Sequence, residues 1–255
     1  MQIIEWPEFL ENSLSLDGKK AAAITVGVFD GLHRGHKALI HEVVQRKDSA
    51  VPVVVTFRRS SYKKGGTQGE YLGDILSFRQ KMAFFDRLGV EKSVVIEFSE
   101  AFRRTSGADF LKILQEQGKM SFLAVGSNFR CGYQLDTDAQ AIQAFNAQRN
   151  IPTVIVPVLA EGSVQISSSH IRAAIARGDL KTAHAMLGYP FTVDLSGQGC
   201  VLPPPGRYAV NLLGEKGGQS VKVQAEVCVD GGNIMIAQDT LTDNTYFEYA
   251  EFLPD

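Results

Sequence analysis

Ala21-Ala-Ala-Ile-Thr-Val-Gly-Val-Phe-Asp-Gly-Leu-His-Arg-Gly-His36 runs from an apolar stretch into a cluster of glycines and then into a helical stripe. Ala21–Val26 reads as a buried strand closed by Gly27. Beyond it, Gly35–Lys47 places Leu39, Ile40, Val43 and Val44 on one helical face. A strand that turns sharply into a helix aims unpaired N–H groups and the positive helix end at the turn, and glycine lets a ligand approach that backbone. The constellation Gly27, Phe29, Asp30, Gly31, His33, Gly35 and His36 therefore reads as a phosphate site. Imidazole N–H groups from His33 and His36 would stabilise the charge that builds on the α-phosphate oxygens in nucleotidyl transfer. Two histidines at this spacing also suit a metal pair or two surface side chains. The flanking glycines and the strand-to-helix position favour the triphosphate.

Working outward, the apolar runs alternate between strand and helix. Val51–Phe57, Lys92–Phe98, Phe122–Val125 and Thr153–Pro157 read as strands, and Ser77–Leu88, Ser106–Gln117 and Asp138–Arg149 as helices, with Ser106 as an N-cap. Two more helices, Ser168–Arg177 and Asp179–Leu187, are separated at Gly178. The alternation predicts an α/β fold with a doubly wound parallel sheet, whose ligands bind beyond the carboxyl ends of the strands. Gly27–Gly35, Thr56–Gly73 and Gly126–Gly132 lie at such ends and are expected to converge on one cleft; Ser60–Gly73 reads as a mobile polar loop. After Tyr189-Pro190 the helical signal stops. Tyr208–Leu213, Val221–Val229, Ile234–Ala237 and Tyr246–Phe252 are short alternating runs, so residues 189–255 are expected to form a small antiparallel β domain beside a first domain of residues 1–188.

Composition narrows the classes. A net charge of −2 gives no basic surface for coating nucleic acid or an anionic membrane. Three cysteines without CxxC spacing argue against a zinc site or a disulfide framework and fit the cytoplasm. No apolar run is long enough to span a membrane, and the N-terminus lacks a secretory pattern.

Ile166-Ser-Ser-Ser-His-Ile-Arg172 opens a predicted helix with serines in the N-cap region. Hydroxyls from Ser167, Ser168 and Ser169, the helix N–H groups and the Arg172 fork would together hold a triphosphate tail. Alone, the segment reads more readily as a serine-capped helix with a solvated arginine; paired with the first motif, the phosphate reading is favoured. Phe57, Tyr62, Phe129 and Tyr133 lie in or beside the cleft-facing loops, where a planar ring could stack on them, although ordinary packing explains any single one. Lys63-Lys64 would attract anions or simply be solvated.

The two phosphate motifs resemble the His-x-Gly-His nucleotidyltransferase superfamily, which implies a Rossmann-like fold. With Gly126-Ser-Asn-Phe-Arg-Cys-Gly132 between them and Gly178-Asp-Leu followed by Leu187-Gly-Tyr-Pro190 after them, residues 20–190 resemble the bacterial FAD synthetase family. A weaker likeness reaches Pro204–Val210, similar to a strand of that family's riboflavin kinase barrel. The resemblance implies transfer of AMP from ATP to FMN with release of pyrophosphate, assisted by Mg2+. His33 and His36 would steady the transferring group, and Gly27, Phe29 and Asp30 would shape the nucleotide pocket. Ser168 and Arg172 would hold the β- and γ-phosphates, and Asn128, Phe129 and Arg130 would lie near the flavin, with Phe57 beside it.

Two departures matter. The Pro-His-Pro turn usual after the second strand is replaced by Thr56-Phe-Arg-Arg-Ser-Ser-Tyr-Lys-Lys64, where Arg58 and Arg59 offer substitute charge. The Gly-Phe-Pro-Thr-Ala-Asn motif of the family's riboflavin kinase module is missing between Phe191 and Pro205, so the tail reads as a remnant barrel without kinase activity. Two alternatives stay open: a different phosphorylated acceptor, and a flavin- or nucleotide-binding regulator that does not turn over.

Overall fold

The computed structural model describes residues 1–16, 18, 21–58, 72–197, 199–236 and 245–254. Arg59, Tyr62, Lys63, Lys64 and most of the loop expected between Thr56 and Gly73 lie outside the described residues. The chain forms two compact units. The first comprises Met1–Phe29, Gly35–Gly66 and Met82–Val158, and the second Asp30–Arg34, Thr67–Lys81 and Leu159–Asp255.

The first unit is built on β1 (Gln2–Glu5), β2 (Ala22–Val26), β3 (Val51–Arg58), β4 (Lys92–Glu97), β5 (Met120–Gly126) and a strand at Thr153–Val156, taken below as β8. Short pairs at Arg130–Cys131 (β6) and Thr137–Asp138 (β7) lie between the last two. The six long strands form one parallel sheet in the order β1-β4-β3-β2-β5-β8. The expected doubly wound sheet is thus present, with the reversal of strand order between β2 and β5, where such sheets open a crevice.

Every residue of β2 is buried, and β3 and β4 are buried except at their last positions. This is why these strands read as continuous apolar runs rather than alternating ones. At about 1.5–3 kcal/mol for each fully buried aliphatic side chain, against a net 0.5–1.5 kcal/mol per hydrogen bond, burying a residue such as Ile24, Val53, Val94 or Leu123 contributes more than any one bond of the ladder.

The helices are α1 (Trp6–Asn12), α2 (Arg34–Val44), α3 (Phe78–Arg87), α4 (Glu100–Arg103), α5 (Gly107–Glu116) and α6 (Ala139–Ala147). Ser106 caps α5 as expected, its hydroxyl accepting from the Asp109 amide at 3.1 Å, and Asp138 does the same for α6 through Ala141 at 2.9 Å. β1 and α1 were not legible in the sequence. Four strand residues are too few to show a period, and Trp6 finds its partners, Phe102 and Phe110, only in the tertiary fold.

The second unit joins helices α7 (Ser168–Ala176) and α8 (Leu180–Leu187) to an antiparallel sheet. A hairpin of β9 (Ala160–Glu161) and β10 (Val164–Gln165) precedes them. The sheet contains β11 (Thr192–Asp194), β12 (Gly206–Lys216), β13 (Gln219–Asp230), β14 (Asn233–Ile236) and β15 (Thr245–Phe252), in the order β11-β15-β12-β13-β14. Ile171, Ile175 and Leu187 share one core with Phe191, Val210, Leu212 and Phe252. The break read after Gly188 marks where helices end in the chain, while the core runs across it. No described helix is long and apolar enough to cross a membrane.

Residues 73–80 of this unit form a strap. Asp74 pairs with the segment at Cys200, its amide reaching the Gly199 carbonyl and its carbonyl the Val201 amide, both at 2.9 Å. Gly73 is required there: its φ is +110°, and a Cβ would lie 2.6 Å from the backbone of residues 199–201. Farther on, Arg79 forks onto Asp194 (Nη2 to Oδ1, 2.9 Å; Nε to Oδ2, 3.2 Å), Ser77 donates to the same carboxylate at 2.7 Å, and Gln80 donates to the Thr192 carbonyl at 2.9 Å.

Burial pushes the Asp194 carboxyl up, but hydrogen bonds from Arg79, Ser77 and Ser196 outweigh it and bring the group down to about 2 from an ordinary 3.8. A group depressed in the folded state contributes stability above its unfolded pKa and loses it as pH falls through the folded one. Asp194→Asn, which does not titrate, should therefore be less stable than wild type at neutral pH. It should lose less stability between pH 3.8 and about 2, as read by thermal unfolding at stepped pH.

Candidate active site

The loop that leaves β2 is fixed from its first residue. The Gly27 amide donates to the Val55 carbonyl at 3.1 Å, and the Thr56 hydroxyl donates to the Val28 carbonyl at 3.2 Å. One strand away, Thr25 Oγ1 donates to the Ala124 carbonyl at 2.9 Å, so β2 is tied on both sides just before the chain turns. Phe29 (φ 53°), Gly31 (φ 79°) and Leu32 (φ 36°) then adopt left-handed backbone. Two of these carry side chains that disfavour it, and such local strain persists only where the surroundings over-determine it. Phe29 has no exposed surface. Its ring meets Phe85 and His36 edge-on at 5.6 and 5.2 Å and comes within 3.1 Å of where a Gly27 Cβ would stand. Gly27 is thus the space that the ring occupies.

Helix α2 begins at Arg34, so His33 immediately precedes it, and Gly35 and His36 lie in its first turn. His33 is buried. No acidic residue of the helix lies in that turn, so its own side chains leave the positive helix end unopposed. Lys37 adds a cation beside His36, and burial lowers its pKa.

In the second unit, Asp30 is 5% exposed, and both carboxylate oxygens and its carbonyl are engaged. Oδ1 accepts from the Ile75 and Leu76 amides at 2.9 and 3.4 Å. Oδ2 accepts from Arg172 Nε and Nη2 at 3.2 and 3.1 Å, and the carbonyl accepts from the Ser168 hydroxyl at 2.7 Å. Next to it, the Gly31 carbonyl accepts from the Tyr189 hydroxyl at 2.5 Å, and Ile75 packs where a Gly31 Cβ would fall. Ser167 caps α7 by accepting from the His170 amide at 3.2 Å, and Ser169 is exposed in its first turn. Arg34 pairs with Glu161.

At the carboxyl end of β5, the Phe129 amide turns back onto the Gly126 carbonyl at 2.9 Å. Asn128 and Arg130 are exposed, Phe129 is half-buried against the core, and Tyr133 is exposed. Phe57 lies inside, stacked on Phe98 with centroids 4.8 Å apart and edge-on to Phe102. Phe98, just past β4, is the exposed ring of that pair, at 42%. Arg58 is paired with Glu5 at 2.7 Å and Glu97 at 3.6 Å.

Burial, with Asp136 adding to it, pushes the Cys131 thiol up to about 12, and burial pushes Cys200 equally far, so neither is a thiolate nucleophile near neutrality. Among the described residues no group of three or more His, Cys, Asp or Glu side chains is placed to hold a metal.

Residues 16–170, more than half of the chain, match the model of a family described as FAD synthetase. The chain belongs to the FAD synthetase family. It is 28% identical over 186 residues to the bifunctional riboflavin kinase/FMN adenylyltransferase of Escherichia coli K12, a match covering 72% of this chain and 59% of that protein. It is 26% identical over 201 residues to the FAD synthetase of Listeria monocytogenes, covering 74% of this chain and 80% of that one. Its fold is similar to that of a macrolide-efflux protein from Streptococcus pneumoniae, with a TM-score of 0.77, 22% identity and coverage of 100% of this chain and 90% of that one.

Within this FAD synthetase family member, the two phosphate motifs found in the sequence meet at Asp30, through partners 138 and 142 residues away. The structure shows Ser168 and Arg172 holding the loop, a role the sequence reading did not assign them. Tyr189, Ile75 and Leu76 were missed as loop-holding residues, and Lys37 and Phe98 as site residues. Tyr189 was visible in Leu187-Gly-Tyr-Pro190 but carried no sign of its partner, and a backbone amide carries none in any sequence.

Removing Arg172 leaves the Asp30 carboxylate buried beside two amides with no countercharge. Arg172→Met should lower the unfolding free energy in denaturant titrations by about 3 kcal/mol, whereas Arg172→Lys, a point charge in place of a fork, should recover part of that loss. Wild-type stability in Arg172→Met would show that the pair is dispensable.

Proposed function

We propose that this chain is an FMN adenylyltransferase that acts without a riboflavin kinase activity. The observation that carries the reading is the His33-Arg-Gly-His36 turn, which follows a central parallel strand and runs into the first turn of α2, a turn that bears no acid. An FMN phosphate oxygen attacks the α-phosphorus of ATP. A P–O bond forms, the bond to the bridging oxygen of the β-phosphate breaks, and pyrophosphate leaves with that electron pair. No covalent enzyme intermediate is needed.

The α2 amides, with His33, His36 and Lys37, receive the phosphates. His33 and His36 donate to the α-phosphate oxygens, where charge rises in the transition state. Gly27, Phe29, Asp30, Gly31 and Gly35 shape the nucleotide loop, and Ser167, Ser168, Ser169 and Arg172 stand at the tail of the triphosphate. Asn128, Phe129 and Arg130 lie towards the flavin, for which Phe98, backed by Phe57, offers the exposed ring. Mg2+ neutralises the triphosphate when it is bound.

A second reading changes the acceptor. Arg58 is paired with Glu5 and Glu97, and the Pro-His-Pro turn is replaced, so a different phosphorylated small molecule could take the place of FMN.

Incubation of the protein with ATP, Mg2+ and FMN should yield FAD and pyrophosphate, whereas riboflavin in place of FMN should yield no FMN. Pyrophosphate release with another phosphorylated acceptor, and no FAD from FMN, would replace the first reading with the second. His36→Ala should lower kcat by roughly 10²–10³ while ATP binding changes only a few-fold, because the donor acts on charge that develops late. Equal losses in both would place His36 in ground-state binding.

A further inference from the structure

The strap of residues 73–80 links the C-terminal sheet to the nucleotide loop. At one end Ile75 and Leu76 offer their amides to Asp30 Oδ1, and Ile75, itself fully buried, covers Gly31. At the other end, residues 75–77 have no regular structure of their own, and Arg79 lies in the first turn of α3. Asp194 on β11 is 2% exposed and receives Arg79 Nε, Arg79 Nη2, Ser77 Oγ, and both the amide and hydroxyl of Ser196. Arg79 also meets Glu248 at 3.1 Å and lies over the Tyr249 ring at 4.7 Å, both on β15. Between grip and cargo, Leu76 is followed directly by Ser77, so a displacement at Asp194 has almost no slack in which to relax before it reaches Asp30.

We propose that Asp194, acting through Ser77 and Arg79, is a positioning residue for the ATP site: it fixes the strap whose amides hold Asp30 and thereby the Asp30–Arg34 turn. The inference rests on the reading of that turn as the ATP site. It gives the C-terminal sheet a task in nucleotide binding that requires no kinase chemistry.

The test uses the full chain. Magnesium with the α,β-methylene analogue of ATP, and separately FMN, are titrated by calorimetry into wild type, Asp194→Asn, Arg79→Met, Arg79→Lys and the double variant Asp194→Asn/Arg79→Met. Unfolding temperature is measured for each. Loss of the grip should weaken analogue binding by about tenfold, while FMN binding changes less than about twofold. The double variant should be no worse than the poorer single one, because both act through one contact. Arg79→Lys should recover part of the affinity. Ser77→Ala, which removes a single donor, should give a smaller loss of the same sign and serves if Asp194→Asn does not fold. Gly73→Ala, which lifts the other end of the strap, should reproduce the defect.

Unchanged analogue affinity in variants whose unfolding temperature falls would reduce the pair to a structural role and overturn the proposal. Equal weakening of FMN and analogue would do the same. Failure of the adenylyltransferase reading looks different: wild type would bind the analogue but form no FAD.

Discussion

The Asp30 carboxylate is a charge withdrawn from water in the middle of the turn that leads into α2, and two segments of the second unit converge to satisfy it. An isolated buried carboxylate would cost several kcal/mol, so it persists only with a countercharge and donors on its remaining lone pairs. Arg172 supplies the countercharge and the Ile75 and Leu76 amides supply the rest. The residues that satisfy Asp30 come from two distant parts of the chain, and the turn is placed only when both are in position. A negative side chain inside a turn proposed to bind phosphate looks paradoxical, but here its charge is consumed internally by Arg172 and two amides, and it organises the loop.

The strained backbone of the loop fits this dependence. Left-handed Phe29 and Leu32 would relax in an isolated peptide. They do not relax here because the Phe29 ring is locked in the core of its own unit, while the carbonyls of Asp30 and Gly31 are gripped by Ser168 and Tyr189. Strain and anchoring thus yield a preformed turn with its amides already directed, which is what a site for a transient charge requires.

What was legible in the sequence was what depends on local pattern. Ala21–Val26 announced a buried strand by being almost uniformly apolar, and Ser106 announced a helix start because a serine hydroxyl there can accept from the otherwise unpaired amide three residues on. The glycine and histidine spacing announced the turn. Pairings between remote polar groups were not legible. Arg172 could be assigned a phosphate because arginine suits one, yet the same fork suits a carboxylate, and nothing in Ile166–Arg172 distinguishes the two. Phe57 and Phe98 show the same ambiguity: both are aromatic at strand ends, and only packing decides that the former faces inward and the latter outward.

Helix α7 joins the C-terminal sheet to the Asp30 turn. Ser168 and Arg172 are four residues apart and occupy one stripe of the helix, while Ile171, Ala174 and Ile175 form another. The first stripe meets Asp30, and the second is buried with Val210, Leu212 and Phe252 of the sheet. A short helix cannot hold its own position by propensity and relies on its apolar face being covered. The sheet is that cover. Its packing against α7 sets where the Ser168 hydroxyl and the Arg172 fork stand, so selection for nucleotide binding would preserve the sheet's core even where its own chemistry had been lost.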